Sequence, residues 1–393
     1  MLELARVRAR FPALAARAGE PPVVHADAPG GTQAVDLAIE AMAEHLRTGS
    51  ANQHGSFALS RRTDDLVDRV RTQVGTFLGT SPEGVVFGPN MTSLTFHLSR
   101  AFDARIGPGD VIVCTELDHD ANVAPWLALA ERTGAEVRWV RLDPDSGRLD
   151  LTTLEQAVTD RTRLVALPAA SNALGTVVDP EPFVAAATAV GALTFVDAVH
   201  AAPHLPLDRA GWGVDMLVCS PYKFFGPHAG ILAADPALLA DLDPPKLRPA
   251  PDAGPERWQT GTASFEAIAG VGGAVAYLDE VGWAAISSHE AELARRFLDG
   301  IASLPHVALH GPPGAEGRTP TFAVTVQGWS PQAAAEALAL HRINVWAGHY
   351  YAIEPMRALG LLEDGGAVRV GFVHYHDQDD VDRVLVALAE LAR

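Results

Sequence analysis

Three features are scarce or missing in this sequence, and each absence excludes a class of protein. Cysteine occurs only twice in 393 residues, at Cys114 and Cys219. Both lie in apolar strand-like runs, so we expect neither a disulfide framework nor a metal site. No apolar run approaches the roughly 18 residues of a membrane span, and the N-terminus lacks the apolar core of a signal peptide. We therefore predict a cytoplasmic protein that does not enter a membrane.

Positive charge is also in deficit. The chain has 30 Lys and Arg against 48 Asp and Glu, a formal net charge of −18, and no basic cluster offsets it. This balance argues against nucleic acid as a partner. No G-x-G-x-x-G or G-x-x-x-x-G-K-[ST] pattern follows a predicted strand, which also argues against a nucleotide-binding α/β protein.

From residue 85 onward, short apolar runs alternate with helical segments. We predict strands at 85–87, 111–114, 137–140, 164–167, 193–196 and 216–219. Such alternation predicts an α/β fold with a mostly parallel, seven-stranded-type sheet in a large domain. The later part mixes helices with strands at 321–326, 342–345 and 367–372, which predicts a smaller α+β domain. We assign residues 20–265 to the large domain, and 1–19 with 266–393 to the small one.

Polar groups follow the two strands at 193–196 and 216–219. Asp197 ends the first, whereas Ser220 and then Lys223 follow the second. Chemistry in open α/β sheets collects beyond the carboxyl ends of the strands. The aromatic neighbours in S-P-Y-K-F-F-G desolvate the lysine and favour its neutral, nucleophilic form. Pyridoxal phosphate requires a lysine for a Schiff base and an aspartate for its pyridinium nitrogen. The alternative is two ordinary strand ends with a solvated Asp and Lys.

Other strand ends add groups that one phosphorylated aromatic cofactor can use. Segment 89–93 precedes a helix, so its backbone amides and the Thr92 hydroxyl form an anion site. His119 can stack on a flat ring, or it is a surface histidine. Asn172 can donate to a phenolic oxygen, or it forms a turn before a glycine. His200, three residues after Asp197, can reach cofactor or substrate. Five loops with polar residues of this kind follow successive strands, and we therefore predict that these residues meet in a single site.

This set of motifs resembles the fold-type I pyridoxal-phosphate enzymes of the class V aminotransferase group, and within it the SufS-like cysteine desulfurases. The resemblance runs from the A-D-A-P-G-G-T segment to the terminal helix. It implies that Lys223 is the Schiff-base lysine and that Asp197 is the partner of the pyridine nitrogen. It implies a ring-stacking role for His119, in D-H-D-A-N-V-A-P-W. Further cofactor-binding positions that it implies are Met91, Thr92, Asn172, His200 and Ser220.

The same resemblance implies how subunits and substrate bind. Gly261 and Thr262, in W-Q-T-G-T-A-S-F, match a segment that reaches the phosphate of the neighbouring subunit. This match implies a homodimer in which each active site uses residues of both subunits. Arg369, in A-V-R-V-G-F, matches the arginine that binds the α-carboxylate of an amino acid substrate, a task that suits a planar guanidinium.

The chain departs from the desulfurases where they carry a sulfur-accepting cysteine in a G-H-H-C-A segment. The matching residues are Gly348-His349-Tyr350-Tyr351-Ala352, so Tyr351 replaces the cysteine. We expect no persulfide chemistry, because tyrosine, with a pKa of about 10, is a poor sulfur acceptor but a proton donor or orienting group. We predict that His349, Tyr350 and Tyr351 contact substrate, with His54 and Arg61 lining its side-chain pocket.

Two further departures lie beside the cofactor. His200 replaces a glutamine and adds a titratable group, and Tyr222 replaces the histidine that precedes the lysine, which removes a phosphate donor. We expect His200 and Tyr351 to act in catalysis with Lys223, Asp197 and His119.

We expect a reaction on an α-amino acid, with Lys223 as the base at Cα. A β- or γ-elimination of the C–S lyase type ranks first, because it needs no thiolate acceptor. Epimerisation ranks second, with Tyr351, His349 or His200 as a second acid or base, and transamination ranks third. A catalytically inactive pyridoxal-phosphate fold is the alternative outside catalysis.

Overall fold

The computed structural model describes residues 2–15 and 22–392, and the two larger of its three β-sheets organise them. The strands in chain order are β1 (Val85–Gly88), β2 (Val111–Thr115), β3 (Glu136–Val140), β4 (Leu142–Asp143), β5 (Arg148–Leu149), β6 (Thr162–Pro168), β7 (Leu193–Asp197), β8 (Met216–Cys219), β9 (Gly230–Ala234), β10 (Val307–His310), β11 (Thr321–Val326), β12 (Trp346–Gly348) and β13 (Ala367–Gly371).

Helices cover both sheets. They are α1 (Leu4–Ala9), α2 (Asp36–Arg47), α3 (Ala58–Leu78), α4 (Met91–Ala101), α5 (Ala124–Thr133), α6 (Leu151–Ala157), α7 (Glu181–Val190), α8 (Pro236–Asp241), α9 (Phe265–Val281), α10 (Trp283–Ile301), α11 (Pro331–Leu340), α12 (Ile353–Ala358) and α13 (Gln378–Ala389). Among the described residues, no helix is long and apolar enough to cross a membrane.

The large sheet has seven strands in the order β1-β9-β8-β7-β6-β2-β3. β9 runs antiparallel to both of its neighbours, and the pairs from β8 to β3 are parallel. Alternate residues of its strands enter two apolar cores, with Val113 and Val165 on one face and Ile112 and Leu164 on the other. Both faces are therefore covered, as parallel sheets require. The predicted α/β fold with a mostly parallel seven-stranded sheet is confirmed.

A second sheet, β10-β11-β13-β12, is antiparallel and forms the small C-terminal unit. The strand predicted at 342–345 is wrong, since the structure places β12 at Trp346–Gly348. Ile343 makes only an isolated bridge to Val24. β12 is an edge strand, and Trp346 is half exposed, so it lacks the apolar pattern that identifies a buried strand.

The N-terminal segment and α9 connect the two units. Val24 and Asp27 form bridges to Ile343 and Gly371 of the small unit. The helix α9 packs against α2 and α3 beside the large sheet. The predicted division at residues 20 and 265 remains a prediction, and its first segment partly lies outside the described residues.

Candidate active site

One cavity lies beyond the carboxyl ends of β6, β7 and β8. Eight of the predicted residues line it: Met91, Thr92, His119, Asn172, Asp197, His200, Ser220 and Lys223. They lie at the ends of five different strands or in the segments that follow them, because these strands all end at this edge of the sheet. The structure therefore brings the predicted cofactor-binding residues together, with the exception of Gly261 and Thr262.

Asp197 is the last residue of β7, and it sits between two other strand ends. It pairs with Pro168 of β6 and Val218 of β8. Its Oδ1 accepts a hydrogen bond from the Val199 amide at 2.8 Å. Burial raises the pKa of Asp197 to about 6, opposed by that amide bond and by Lys223. A carboxyl group with this pKa can share a proton with a ring nitrogen near neutral pH.

Lys223 follows β8 in a single 3₁₀ turn, Pro221–Lys223. Its Nζ donates to the carbonyl oxygen of Pro29 and lies 5.1 Å from the centroid of the Tyr222 ring. Burial and the positive charge of Arg369 lower the pKa of Lys223 to about 7, against the opposing effect of Asp197. Much of the amine is therefore neutral and nucleophilic near neutral pH. The chain has one other lysine, Lys246.

His119 lies in the loop between β2 and α5. Its Nδ1 accepts a hydrogen bond from the Ala121 amide at 3.0 Å, so the neutral ring carries its proton on Nε2. Burial, then Lys223 and Arg369, lower the pKa of His119 to about 3, which keeps the ring uncharged. A flat, neutral imidazole is suited to stacking on an aromatic cofactor.

The N-terminus of α4 provides an anion site. Asn90 caps the helix, its side chain accepting from the Ser93 amide at 2.8 Å, and the Met91 amide donates to Ser220 Oγ at 3.2 Å. The Thr92 amide has no hydrogen-bond partner in the described chain, which leaves it for a ligand. Gly230 at the start of β9 permits this packing, because a Cβ there would lie 2.3 Å from the carbonyl carbon of Asn90.

Arg369, on β13, brings the small unit to the cavity. Its Nη1 donates to the carbonyl oxygen of Asn172 at 2.8 Å, and its guanidinium lies 4.5 Å from the centroid of the Tyr350 ring. The Asn172 side chain donates to the Tyr350 carbonyl oxygen at 3.0 Å. Burial lowers the pKa of Arg369 to about 10, so it stays protonated at neutral pH. Its Nε and the Oδ1 of Asn172 are buried without partners among the described residues.

The segment that carries Tyr351 is a strained loop. Gly348, Tyr350 and Tyr351 have φ values of +118°, +50° and +58°, which only the glycine adopts without strain. The Tyr350 hydroxyl donates to the Ala367 carbonyl oxygen, and the Tyr351 carbonyl accepts from the Asp120 amide at 2.7 Å.

These bonds hold the exposed Tyr351 ring against the ring of His119, with their centroids 5.5 Å apart. His349 is exposed, and its Nδ1 accepts a hydrogen bond from the Tyr351 amide at 3.1 Å. Arg369, Tyr350 and Tyr351 thus contact residues that line the cavity.

Other predicted site residues lie elsewhere. Gly261 and Thr262 are exposed and line a second cavity, which also contains His97 and His228. His54 lies near Asp64 on the surface. Arg61 donates to the Ser56 carbonyl oxygen there. Neither residue lines the cavity of its own chain, so their expected place in the side-chain pocket stays a prediction.

Sequence reasoning missed two contributors, the Asn90 side chain and the Pro29 carbonyl. Asn90 lines the cavity, and an asparagine just before an apolar helical pattern is a recognised N-cap signal. Tyr222 also lines it, stacked on His228 with centroids 4.9 Å apart. The Pro29 carbonyl that binds Lys223 belongs to the backbone, which carries no side-chain signal.

The two cysteines lie away from the Tyr351 loop. Cys114 is inside β2 and Cys219 ends β8, and both are free and fully buried. Burial raises the pKa of each thiol above its ordinary value.

The residues around the cavity fit pyridoxal phosphate. They offer a neutral amine, a carboxyl group for a ring nitrogen, a flat uncharged ring, and an unpaired helix-terminal amide for a phosphate. The fold and this donor set define a pyridoxal-phosphate-dependent enzyme of fold type I.

Comparison with known proteins identifies the family. The family described as "Aminotransferase class-V" matches residues 24–384, and the chain belongs to it. The chain is 32% identical to "Probable cysteine desulfurase 2" of Mycobacterium leprae, over 98% of this chain and 96% of the relative. It is 31% identical to "Cysteine desulfurase" of Klebsiella pneumoniae, over 99% and 98%.

Solved structures show the same fold. An apo structure of cysteine desulfurase from Thermococcus onnurineus NA1 is 27% identical, covers 100% of this chain and 98% of its own, and has a TM-score of 0.92. The suggested membership of the class V, desulfurase-like group is confirmed.

Proposed function

We propose that this enzyme eliminates a leaving group from an α-amino acid, in C–S lyase-type chemistry, and does not form a persulfide. The observation that carries this proposal is the pair Tyr351 and His119: a tyrosine, not a thiol, is held against the ring-stacking histidine. The only two thiols are fully buried in strands of the large sheet. An elimination needs a proton donor for its leaving group and no sulfur acceptor.

Each residue then has a defined task. Arg369 binds the substrate carboxylate, to which its fork of donors is suited. Asp197 holds the ring nitrogen, His119 covers the ring, and the Thr92 amide with Ser220 binds the phosphate. Bound pyridoxal phosphate supplies an electron sink for the pair left at Cα.

Two residues move protons. The neutral Nζ of Lys223 accepts the proton from Cα, and the Tyr351 hydroxyl donates a proton to the departing group. For a β-substituted amino acid with leaving group X, the balance is amino acid plus water giving pyruvate, ammonia and HX.

The test is a product analysis of the cofactor-loaded protein with amino acids that carry sulfur, oxygen or halogen leaving groups at Cβ. We expect keto acid, ammonia and leaving group in equal amounts from one substrate class. Alanine as the carbon product, with sulfide released only when a thiol is added, would contradict elimination and indicate desulfuration.

Epimerisation is the second candidate, because Tyr351 packs on His119 whereas Lys223 comes from the turn after β8. Two proton carriers on separate elements suit removal from one face of Cα and return to the other. Deuterium uptake at Cα from heavy water, with loss of optical activity and no keto acid, would favour this reaction.

We also propose a homodimer in which Gly261 and Thr262 complete the phosphate site of the partner. Both are exposed and stand apart from the cavity of their own chain. Light scattering should give twice the mass of 41.5 kDa. A monomer that still binds the cofactor would contradict shared sites.

A further inference from the structure

His200 is held from two sides by groups outside the cavity. Its Nε2 lies 3.1 Å from Oγ1 of Thr319, which precedes β11 in the small unit. On the other side, the His204 ring meets it edge-on, with centroids 5.3 Å apart. All three side chains are buried. The imidazole therefore cannot turn without losing a packed neighbour or a hydrogen bond.

The Thr319 hydroxyl determines which nitrogen of His200 carries the proton. Oγ1 donates to the carbonyl oxygen of Gly175 at 3.3 Å. A hydroxyl has a single proton, so while Oγ1 donates to that carbonyl it can only accept from His200. The neutral imidazole is then protonated at Nε2, and Nδ1 keeps its lone pair.

Nδ1 is the ring nitrogen left for a ligand. His200 lines the cavity beside Asp197 and Lys223, and within the described chain its Nδ1 makes no hydrogen bond. Burial comes first among the effects that lower the pKa of His200, followed by the charges of His204, Lys223 and Arg369. The ring is therefore neutral and presents an acceptor.

A buried carboxylate fixes the orientation of the neighbouring His204 ring. Glu290, on α10, has Oε2 2.7 Å from Nδ1 of His204, and its Oε1 is 4.0 Å from Nδ1 of His374. A carboxylate accepts, so it fixes the proton of His204 on Nδ1. The titratable and charged groups that face His200 or its neighbour His204 are Asp197, Lys223, Arg369, Glu290 and His374.

We propose that Thr319 is a positioning residue that fixes His200 as the Nε2-protonated tautomer, so that His200 presents a hydrogen-bond acceptor to the bound cofactor. This inference rests on the proposed cofactor-binding role of the cavity and adds the direction of one hydrogen bond, in which His200 is the acceptor. An acceptor favours the protonated form of the group it faces, whereas a donor favours the deprotonated form. The protonation of the bound chromophore therefore reports the tautomer.

The experiment is a pH titration of the absorbance of the cofactor-loaded protein. Thr319→Val keeps the side-chain volume but removes the acceptor for Nε2, which frees the proton to move to Nδ1. We expect the midpoint of the absorbance titration to fall by about one pH unit. A shift of this size is what one hydrogen bond to only one of two protonation states produces. Thr319→Ser, which keeps the hydroxyl, should retain the wild-type midpoint.

The matched control is Thr162→Val. Thr162 is the first residue of β6, at the end of the strand away from the cavity. Thr162 is also fully buried, and its hydroxyl accepts from the Thr159 amide at 2.9 Å. We expect its midpoint to equal that of the wild type, even where its melting temperature falls. An unchanged midpoint in Thr319→Val would overturn the proposal.

A second measurement needs neither cofactor nor activity. Nitrogen-15 histidine spectra of the wild type and of His200→Gln differ by the signals of His200, whose shifts distinguish the two tautomers. A proton on Nε2 supports the proposal, and a proton on Nδ1 overturns it even if Thr319→Val does not fold. A protein with the Nε2 tautomer but no cofactor band would instead refute the cofactor site.

Discussion

The active site has two walls, which differ in burial and in backbone conformation. One is the cavity lining, which comes from the large sheet, and the other is a small-unit loop that packs on the lining residues His119 and Asn172. The wall formed by the large sheet is made of strand ends, and the carboxyl group of Asp197 and the ring of His200 are buried there. The wall formed by the small unit contains a loop with two consecutive non-glycine residues in the left-handed region, and its Tyr351 is 65% exposed.

That difference separates two kinds of chemistry. A substitution at Asp197 disturbs a packed sheet, whereas a substitution at Tyr351 leaves the apolar cores intact. Under the proposed function, we therefore expect cofactor binding and the choice of reaction to be carried by different elements, so that each can be changed without the other. The following experiments test that separation.

The largest effect is expected at the buried wall. Lys223→Ala removes the amine and should lower turnover at least about 10³-fold, since the base at Cα is lost. Borohydride treatment of the cofactor-loaded wild type should add the cofactor mass to the peptide that contains Lys223. Lys246→Ala, which removes the other lysine, is the control and should retain both results. Mass addition at Lys246 alone would refute the assignment.

A smaller effect is expected at the exposed wall. Tyr351→Phe should lower product formation by about 10² while the cofactor absorbance stays as in the wild type, because only the proton donor is lost. Steady-state rates and absorbance measure both quantities. Loss of cofactor binding in this variant would show that the walls are not separable.

Tyr351→Cys sharpens the same comparison. The variant places a thiol at the loop position that the resemblance matches to the desulfurase cysteine, where an exposed thiol can become a thiolate. We expect thiol-dependent sulfide release from cysteine by this variant and none by the wild type. Equal thiol-dependent sulfide release by both proteins would show that the loop does not determine the reaction.

The pH dependence of cofactor loading probes the buried wall alone. The pKa of Lys223 is lowered to about 7, so its neutral fraction rises through that pH and is complete above it. We expect the rate of loading onto the apoprotein to rise about tenfold per pH unit below 7 and to level above it. Rapid-mixing absorbance measures the rate. A rise that continues toward the ordinary lysine pKa near 10 would contradict a desolvated amine.

The smallest effect is expected from Gly348→Ala. A Cβ at Gly348 meets open space, so the cost is the backbone strain of its positive φ alone. We expect a loss of about 1 kcal/mol in the free energy of unfolding. Denaturant titration measures it, with Gly107→Ala, another open position without a positive φ, as the control. Equal stability of the two variants would contradict strain in the loop.

The fold and much of the site could be predicted from the sequence, because the buried strands and the polar residues at their ends form a local sequence pattern. Buried parallel strands are continuous apolar runs, so the residues after them, such as Asp197 and His119, fall at one edge of the sheet. β9 was missed, since it follows the lysine turn directly without the helix that marks a parallel crossover. Thr319 was missed because it contacts His200 across 119 residues of sequence. Long-range pairings of this kind leave no local periodicity.

The scarcity of lysine has a practical consequence. Pyridoxal phosphate is an aldehyde that condenses with accessible amines, and most proteins offer it many surface lysines. Here Lys246 is the only lysine besides Lys223. Its Nζ is paired with Asp252 at 2.8 Å, and a paired ammonium is a poor nucleophile. Optical titration of this protein with its cofactor should therefore count active sites with little background from surface lysines.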